Sequence, residues 1–583
     1  MANYPDPEEY KTQNEYQEVK RGDDRRLILF IVMPVLLILC GVVFTLGYFI
    51  YDQVSGTDIA EVIGDSNLIP PTAEADPTES GTETNSGVES NAVDVEIVEE
   101  DLENGASYYD LGLDYYDREA YEDALRAFST SIEYDPNNPD AYYYRGNSYY
   151  YTSEYERAIS DYNRSIELDA DNSSVFNFRG NAYYEQGDIE QALFDYDRAL
   201  EIFPDDPAVL YNRGNVYHAQ LEYDLAIADY SAAIEADPAY ASAYNNRGNV
   251  FYDQVDYDAA LLDYSKALEI DPLFDIAYHN RGLVYYNQGN YADSLENYQK
   301  AVELNPAYAS AHNGIGSVYQ VQGDFDAALA AYNEAITLQP QIAYFHEDKG
   351  DLYYENGRYE DALASYDVAF ELSPEDTSVL ISRGNAFYYL DEFDESLAMY
   401  DRTLEIDPED DVAYYNRGNV FYLLEQYDDA LAAYEASIEI DPLDVDSYYG
   451  QADVYFATDR NAEGLDVYKK AITLFPSENG LYNSVCWFGG LSGEAEDVLS
   501  FCEIAVQGAE TTEDEAIYRD SRGLVRALTG DPVGAVEDFE FYIAWANENG
   551  FESFAEKRIA WVEQLNEGES PFTAEVLEEL FDE

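Results

Sequence analysis

A single glycine recurs along this chain of 583 residues with a constant step of 34 residues. The ten glycines are Gly112, Gly146, Gly180, Gly214, Gly248, Gly282, Gly316, Gly350, Gly384 and Gly418. A period in this range is typical of stacked helical hairpins, because one hairpin cannot bury its apolar face without neighbours. The period therefore predicts an all-α solenoid built from repeated units.

The unit at residues 241–274 represents the repeat, and its residues are numbered here as positions 1 to 34. Small and apolar residues recur at positions 4, 8, 11, 20, 24 and 27, which in this unit are Tyr244, Gly248, Phe251, Ala260, Tyr264 and Ala267. Each set of three has the i, i+4, i+7 spacing of one helix face, so the unit is predicted to be two antiparallel helices. A short polar turn at 253–256 joins them, and Pro272 at position 32 ends the second helix.

These positions resemble the tetratricopeptide repeat (TPR) pattern. Position 24 is aromatic in eleven units, namely Phe128, Tyr162, Tyr196, Tyr230, Tyr264, Tyr298, Tyr332, Tyr366, Tyr400, Tyr434 and Tyr468. Position 32 is proline in each unit except the second, which has Ala170. The resemblance implies eleven TPR units over residues 105–478, arranged as a right-handed superhelix of helical hairpins. It does not identify a partner, because scaffolds of this family bind many unrelated proteins.

The period weakens after residue 478. Residues 479–550 are predicted to form two degenerate TPR-like units, and residues 551–583 are predicted to form capping helices that end the solenoid. For the last short helix, Ser570 is the expected N-cap and Pro571 the expected first helical residue.

The N-terminal part of the chain differs in composition from the repeats. Residues 27–51 are uncharged and apolar, and a helix of this length spans roughly 37 Å, which is enough to cross a bilayer. Lys and Arg precede this segment and are absent between Arg26 and Arg118. The positive-inside rule therefore predicts a signal anchor with residues 1–26 in the cytoplasm and the repeats outside it. Residues 52–104 are acidic and poor in aromatic residues, which predicts a disordered linker.

Acidic residues outnumber basic ones by 120 to 30, and the formal net charge is −90. Nucleic acid is not expected as a partner, because binding it needs a basic surface. The charge alone leaves three interpretations open: solubility of a long surface, a salt-rich habitat, or attraction of basic partners. No nucleotide-binding loop, metal-protease motif or nucleophile elbow occurs, so we expect no enzymatic activity, no cofactor and no metal site.

The first helix of the unit carries the candidate binding residues. In TPR proteins the first helices line the concave surface, and an asparagine ladder in TPR-containing glycosyltransferases holds a peptide backbone there. An amide has donors and an acceptor, so it can pair with any extended chain. The residues predicted to contact a peptide are Asn212, Asn246, Asn280 and Asn416 at position 6, Asn147, Asn181, Asn215, Asn249 and Asn419 at position 9, Tyr143 and Tyr211 at position 5, and Tyr252 and Tyr286 at position 12. An equal alternative is that these Asn and Tyr residues bond to neighbouring helices.

Two further pairings concern stability. Arg at position 7 accompanies Asp at position 23 in units 2 to 5, which predicts structural ion pairs within each hairpin. Cys486 and Cys502 occupy positions 8 and 24 of the twelfth unit, and residues facing each other there predict a disulfide. The open alternative is two buried thiols.

The sequence therefore favours a membrane-anchored TPR scaffold or receptor that binds proteins or extended peptides outside the cytoplasm, at the cell membrane. A small-molecule substrate is not expected. Two alternatives remain open. One is an accessory subunit that presents substrates to an enzyme on another chain, and the other is a hydrolase within residues 479–583.

Overall fold

The computed structural model describes residues 105–581, and this part of the chain contains 28 α-helices and no strand. The predicted cytoplasmic segment (1–26), membrane helix (27–51) and linker (52–104) lie outside the described residues. Among the helices of residues 105–581, none is both long and apolar enough to span a membrane. The all-α solenoid of TPR hairpins that the period predicts is confirmed.

The described residues divide into two compact bodies, an N-terminal body (105–340) and a C-terminal body (341–581). The helices of the N-terminal body are α1 (Gly105–Asp117), α2 (Tyr121–Tyr134), α3 (Pro139–Tyr151), α4 (Tyr155–Leu168), α5 (Ser173–Glu185), α6 (Ile189–Ile202), α7 (Pro207–Ala219), α8 (Tyr223–Ala236), α9 (Ala241–Asp253), α10 (Tyr257–Ile270), α11 (Asp275–Asn287), α12 (Tyr291–Leu304), α13 (Ala309–Val321) and α14 (Phe325–Leu338). Every unit thus has a first helix of 13 residues and a second helix of 14.

The C-terminal body continues the same alternation. Its helices are α15 (Ala343–Glu355), α16 (Tyr359–Leu372), α17 (Thr377–Tyr389), α18 (Phe393–Ile406), α19 (Asp411–Leu423), α20 (Tyr427–Ile440), α21 (Val445–Ala457), α22 (Asn461–Leu474), α23 (Asn479–Leu491), α24 (Ala495–Gly508), α25 (Thr512–Leu528), α26 (Pro532–Glu548), α27 (Glu552–Glu567) and α28 (Ala574–Phe581).

Each hairpin closes around the position-24 ring. In the representative unit Tyr264 is 1% exposed and packs against Gly248, where an added Cβ would lie 2.7 Å from the ring atom Cε1. The side chain at position 8 must therefore be absent for the ring at position 24 to fit. The recurring glycine and the recurring tyrosine are two parts of one packing contact, which explains their shared period.

The predicted ion pairs are present. Arg145 and Asp161 are 2.7 Å apart, and equivalent contacts join Arg179 to Asp195, Arg213 to Asp229 and Arg247 to Asp263. Each guanidinium also reaches position 25 of the preceding unit: the Nη1 group of Arg213 donates to Asp197, and that of Arg247 donates to Ser231. Position 7 therefore fills the groove between consecutive second helices.

The twelfth unit contains a disulfide between the predicted partners. Cys486 on α23 and Cys502 on α24 are fully buried, and their Cα atoms lie 5.0 Å apart. Val498 replaces the usual alanine at position 20 of this unit, and Gly489 makes room for it, because a Cβ there would lie 2.4 Å from Val498 Cγ1. Gly489 thus permits a close helix contact, and α23 continues past it to Leu491.

The expected start of the last helix is wrong. α28 begins at Ala574 rather than Pro571, and the Thr573 hydroxyl accepts a hydrogen bond from the Val576 N–H. The physical reason is the preceding Phe572, which is buried against Trp561 with ring centroids 4.9 Å apart. Burying this ring holds residues 570–573 in a non-helical conformation, and the helix starts only after them.

Candidate peptide-binding face

The candidate site consists of positions 5, 6, 9 and 12 of the first helices, and this surface is called the A-face here. In the N-terminal body its amides are buried or half-buried: Asn147, Asn181 and Asn212 are between 1% and 7% exposed, whereas Asn215, Asn246, Asn249 and Asn280 are half-buried. Buried amides need hydrogen-bond partners, because leaving them unpaired costs free energy. Their partners therefore decide how much capacity the A-face keeps for a ligand.

Position 9 pairs with position 24 of the same unit. In each of six units the buried tyrosine hydroxyl donates a hydrogen bond to the asparagine Oδ1 atom, at 2.6–2.8 Å. The pairs are Tyr162 with Asn147, Tyr196 with Asn181, Tyr230 with Asn215, Tyr264 with Asn249, Tyr400 with Asn385 and Tyr434 with Asn419. Burial raises the pKa of these tyrosines, so their hydroxyls stay protonated and act as donors.

Position 6 links consecutive units. The Asn212 Nδ2 group donates to Oδ1 of Asn177 at 3.0 Å and to Oδ1 of Asn181 at 3.1 Å, both on the preceding first helix. The next two units repeat this geometry. The Asn246 Nδ2 group donates to the Tyr211 hydroxyl and to Asn215. The Asn280 Nδ2 group donates to Asn245 and to Asn249. The asparagine ladder is therefore a row of bonds between helices.

Nine asparagines are predicted to contact a peptide. Six of them belong to this row between units, and a seventh, Asn147, bonds to Tyr162 of its own unit. The row leaves some polar groups unused: the buried Asn181 Nδ2 group has no hydrogen-bond partner within residues 105–581. Asn416 lies at position 6 of the tenth unit, in the C-terminal body, and is half-buried. The eighth and ninth, Asn416 and Asn419, lie on the same face of α19, and Asn419 accepts from Tyr434. Peptide contact by all nine stays a prediction.

The predicted tyrosines line the same face. Tyr143 packs edge-on against Phe178, with ring centroids 5.7 Å apart, and Tyr286 packs edge-on against Tyr291. The Tyr211 and Tyr252 hydroxyls accept hydrogen bonds from Asn246 and Asn287, each on the first helix of the next unit. These rings therefore supply a rigid surface, and two of the four use their hydroxyls inside the fold.

Carboxylates replace the position-9 amide in two units of the C-terminal body. The Tyr366 hydroxyl donates to Asp351 at 2.6 Å, and the Tyr468 hydroxyl donates to Asp453 at 3.3 Å. Burial raises the pKa of Asp453 to about 7, although the hydrogen bond from Tyr468 opposes the shift. Each aspartate still accepts the hydrogen bond from the tyrosine hydroxyl, but it introduces an ionisable carboxyl group at a half-buried position.

Other carboxylates of the C-terminal body also have raised pKa values. Glu347 accepts from the Ser378 hydroxyl at 2.8 Å, and burial together with Asp351 and Asp376 raises its pKa well above the usual range. Burial also raises the pKa values of Asp411 and Asp446 to about 6, with neighbouring carboxylates adding to the shift. Clustered carboxylates therefore lie on and beside several first helices of the C-terminal body, and each cluster resists the loss of its protons.

The link between positions 9 and 24 was missed by sequence reasoning, yet the chain carries a signal for it. The first unit has Phe128 at position 24, which lacks a hydroxyl, and it has Leu113 at position 9 instead of an amide or acid. The thirteenth unit repeats this pairing with Phe539 and Leu524. Comparing the two positions unit by unit would have indicated that the amide serves the tyrosine hydroxyl, with the sixth unit, which has Tyr298 and Leu283, as an exception.

The chain belongs to the tetratricopeptide repeat family. Family profiles described as TPR repeat match residues 180–220, 222–255, 248–289 and 384–425. Profiles described as Tetratricopeptide repeat match residues 109–174, 279–341, 315–377, 412–443 and 445–478. Together the matches extend over most of residues 109–478, in agreement with the eleven units. No curated protein sequence matches the chain significantly.

Solved structures of TPR proteins are similar to this chain in fold. A TPR protein from Parabacteroides merdae is 20% identical, with a TM-score of 0.37, over 43% of this chain and 98% of its own. Yeast Tom70 is 17% identical, with a TM-score of 0.39, over 74% of this chain and 98% of its own. YrrB, described as a TPR protein with an unusual peptide-binding site, is 24% identical, with a TM-score of 0.28, over 32% of this chain and 97% of its own.

Proposed function

We propose that this protein is a membrane-anchored TPR scaffold that binds extended polypeptide segments of neutral to basic character along its A-face. The observation that carries the proposal is the row of buried and half-buried amides and phenols on successive first helices, from Asn147 to Asn280. Neutral hydrogen-bonding groups in a regular row match the repeating N–H and C=O groups of an extended chain. The proposed work is binding rather than catalysis.

The preference for a basic segment is supported by the carboxylates of the C-terminal body. Asp351 and Asp453 occupy the amide position. Glu347 lies on the helix of Asp351, Asp446 lies on the helix of Asp453, and Asp411 begins the first helix of a unit between them, α19. Rigid tyrosines beside them offer contact area at a small entropic cost. A segment that carries Lys or Arg would satisfy the carboxylates of the C-terminal body.

The position-6 amides provide the test. Peptides selected against the protein from a random dodecapeptide library would be measured by fluorescence anisotropy against the triple variant Asn212→Ala, Asn246→Ala, Asn280→Ala. We expect affinity to fall at least tenfold, because each change removes an amide from the row. The matched control is Gln191→Ala, Gln299→Ala, Asn333→Ala, which truncates three exposed polar side chains on the second helices.

Circular dichroism, recorded at the temperature of the binding assay, distinguishes loss of binding from loss of the fold. The triple variant should keep its helical signal, since each change removes about 1 kcal/mol of hydrogen bonding from a large stack. Unchanged affinity in a folded triple variant, or an equal loss in the control, would refute peptide binding on the A-face.

The membrane anchor is part of the proposal. It is supported by the uncharged run at residues 27–51 and by the Lys and Arg residues that precede it. In this arrangement residues 1–26 are cytoplasmic, and the repeats are outside the cytoplasm. Protease added to intact cells should remove the repeats and leave an epitope at the N-terminus protected; full protection of the repeats would overturn this topology.

A further inference from the structure

An open groove of about 570 Å³ lies in the C-terminal body, and none of its lining residues occupies a position that forms the A-face. It runs between α20 and α22 and is lined by Glu435, Ile438, Glu439, Tyr448, Gln451 and Lys470, among others. In repeat numbering Glu435 is position 25, and Gln451 is position 7 of the next unit. The groove is therefore the place that an arginine fills elsewhere in the chain.

The two preceding junctions between units of the same body show the filled state. Arg383 at position 7 lies 2.8 Å from Asp367 at position 25 of the unit before, and Arg417 lies 3.2 Å from Asp401 in the same way. Both guanidinium groups also lie over aromatic rings: Arg383 is 4.3 Å from the Phe370 centroid. A carboxylate at position 25 and a nearby ring thus hold a guanidinium at each of these junctions.

The junction at the groove keeps the position-25 acid and lacks the arginine. Gln451 is shorter and uncharged, and Glu435 and Glu439 are exposed acids. Tyr448 also lines the groove, although it is only 1% exposed. Lys470 lies 5.2 Å from the Tyr448 centroid, and no salt bridge within 4.0 Å joins it to either glutamate in the described structure. The groove is therefore shaped and charged for a guanidinium that this chain does not supply.

We infer that this groove is a docking site for an arginine side chain presented by a partner polypeptide. The guanidinium enters between Lys470 and α20 and donates hydrogen bonds to Glu435. Arg383 and Arg417 contact their position-25 acids in the same way. Glu439 contacts the guanidinium from the other side. Arginine is preferred over lysine because its planar fork matches a carboxylate geometrically. The inference does not depend on the A-face, since it uses a different surface.

The test uses the full chain in detergent micelles and a small probe, N-acetyl-arginine N-methylamide. The variant Leu443→Cys, in a Cys40→Ser background, provides one reactive cysteine for a trifluoromethyl label. The label reports binding in the groove, because Leu443 is exposed and follows Pro442, which lines the groove. The probe should shift the fluorine resonance saturably at physiological salt. The lysine analogue should bind at least fivefold more weakly, and the neutral citrulline analogue should cause no saturable shift.

Two variants with matched controls decide the outcome. Gln451→Arg fills the groove from within and should abolish the shift, whereas Gln426→Arg adds the same charge at an exposed site of the preceding unit and should leave it intact. Glu435→Gln with Glu439→Gln should weaken probe binding at least fivefold, whereas Asp428→Asn with Asp429→Asn on the same helix should not.

Equal shifts by arginine and citrulline analogues, or a shift that survives Gln451→Arg, would overturn the inference. The position-6 triple alanine variant should leave this shift unchanged, which separates the two binding surfaces.

Discussion

In eight of the eleven regular units, an asparagine or aspartate at position 9 accepts a hydrogen bond from the position-24 hydroxyl of the same hairpin. Tyrosine at position 24 needs an acceptor because its hydroxyl is buried, and asparagine or aspartate at position 9 provides it. In the first unit position 24 is Phe128, which has no hydroxyl and needs no acceptor, and position 9 is Leu113. The pair explains why amides recur on the A-face whether or not a ligand is bound.

The pair also makes a pH-dependent prediction at Asp453. Its pKa is about 7 in the fold, against an ordinary aspartate value of 3.8, so the folded chain holds this proton more tightly than the unfolded chain. Stability therefore falls as pH rises from about 4 to 7. Asp453→Asn should stabilise the protein at pH 8 by about 1–3 kcal/mol, because an asparagine accepts from tyrosine at this position in six other units and carries no charge.

Chemical denaturation at pH 8 and pH 4 measures this effect. The gain from Asp453→Asn should shrink towards zero at pH 4, where Asp453 is already protonated in the fold. Asp428→Asn, an exposed change in the neighbouring unit, should alter stability by less than about 0.5 kcal/mol at either pH. A gain of equal size at both pH values would contradict the assignment of a raised pKa to Asp453.

Within the hairpin, the turn between its two helices is set by one residue. Position 15 has a positive φ angle in every one of the twelve units from Glu119 to Gly493, and in four of the eleven regular units it is glycine. In the representative unit it is Val255, with φ of 61°, and a β-branched residue is strained in this region. The turn thus tolerates strain that a glycine would relieve.

Val255→Gly should raise the free energy of unfolding by about 1 kcal/mol, because relief of the left-handed strain exceeds the entropic cost of glycine. The reverse change, Gly289→Val at the same position of the next unit, should lower it by a similar amount. Urea titration followed by circular dichroism checks both. Destabilisation by Val255→Gly would mean that strain at this turn is negligible.

The disulfide fixes α23 to α24 where the repeat consensus has decayed. Reduction, or Cys486→Ala with Cys502→Ala, should destabilise this hairpin by about 2–4 kcal/mol, because the bond closes a loop over 16 positions. Hydrogen exchange should then accelerate in residues 479–508 and stay unchanged in residues 241–274. Unaltered exchange in the twelfth unit after reduction would show that the bond adds no stability there.

Element boundaries were predictable where the repeat is regular and failed where it stops. The spacing of Gly248, Ala260 and Tyr264 was enough to place both helices of the unit, because the same packing contact recurs in each hairpin. At the C-terminus the start at Pro571 followed local capping rules alone. Burial of Phe572 against Trp561 overrode those rules, and a single sequence does not show such a tertiary contact.

On the scale of the whole molecule, the sequence predicted a solenoid of eleven units and a binding face on the first helices. It left open whether these asparagines contact a peptide or bond to neighbouring helices, and in the structure six of them bond to one another in pairs while Asn147 bonds to Tyr162. That result follows from the three-dimensional contact between position 6 of one unit and position 9 of the unit before, which are 31 residues apart. The A-face therefore has a structural role in the fold in addition to the proposed role in binding.

The central claim is that an extended peptide lies on the A-face, and site-specific photo-crosslinking tests it most directly. Benzoylphenylalanine would replace Tyr286 on a first helix in one variant and Leu262, which is 72% exposed on a second helix, in another. Both would be irradiated with a peptide selected from the dodecapeptide library. We predict that the peptide crosslinks to the label at position 286 and that unlabelled peptide competes; crosslinking only at position 262 would contradict the claim.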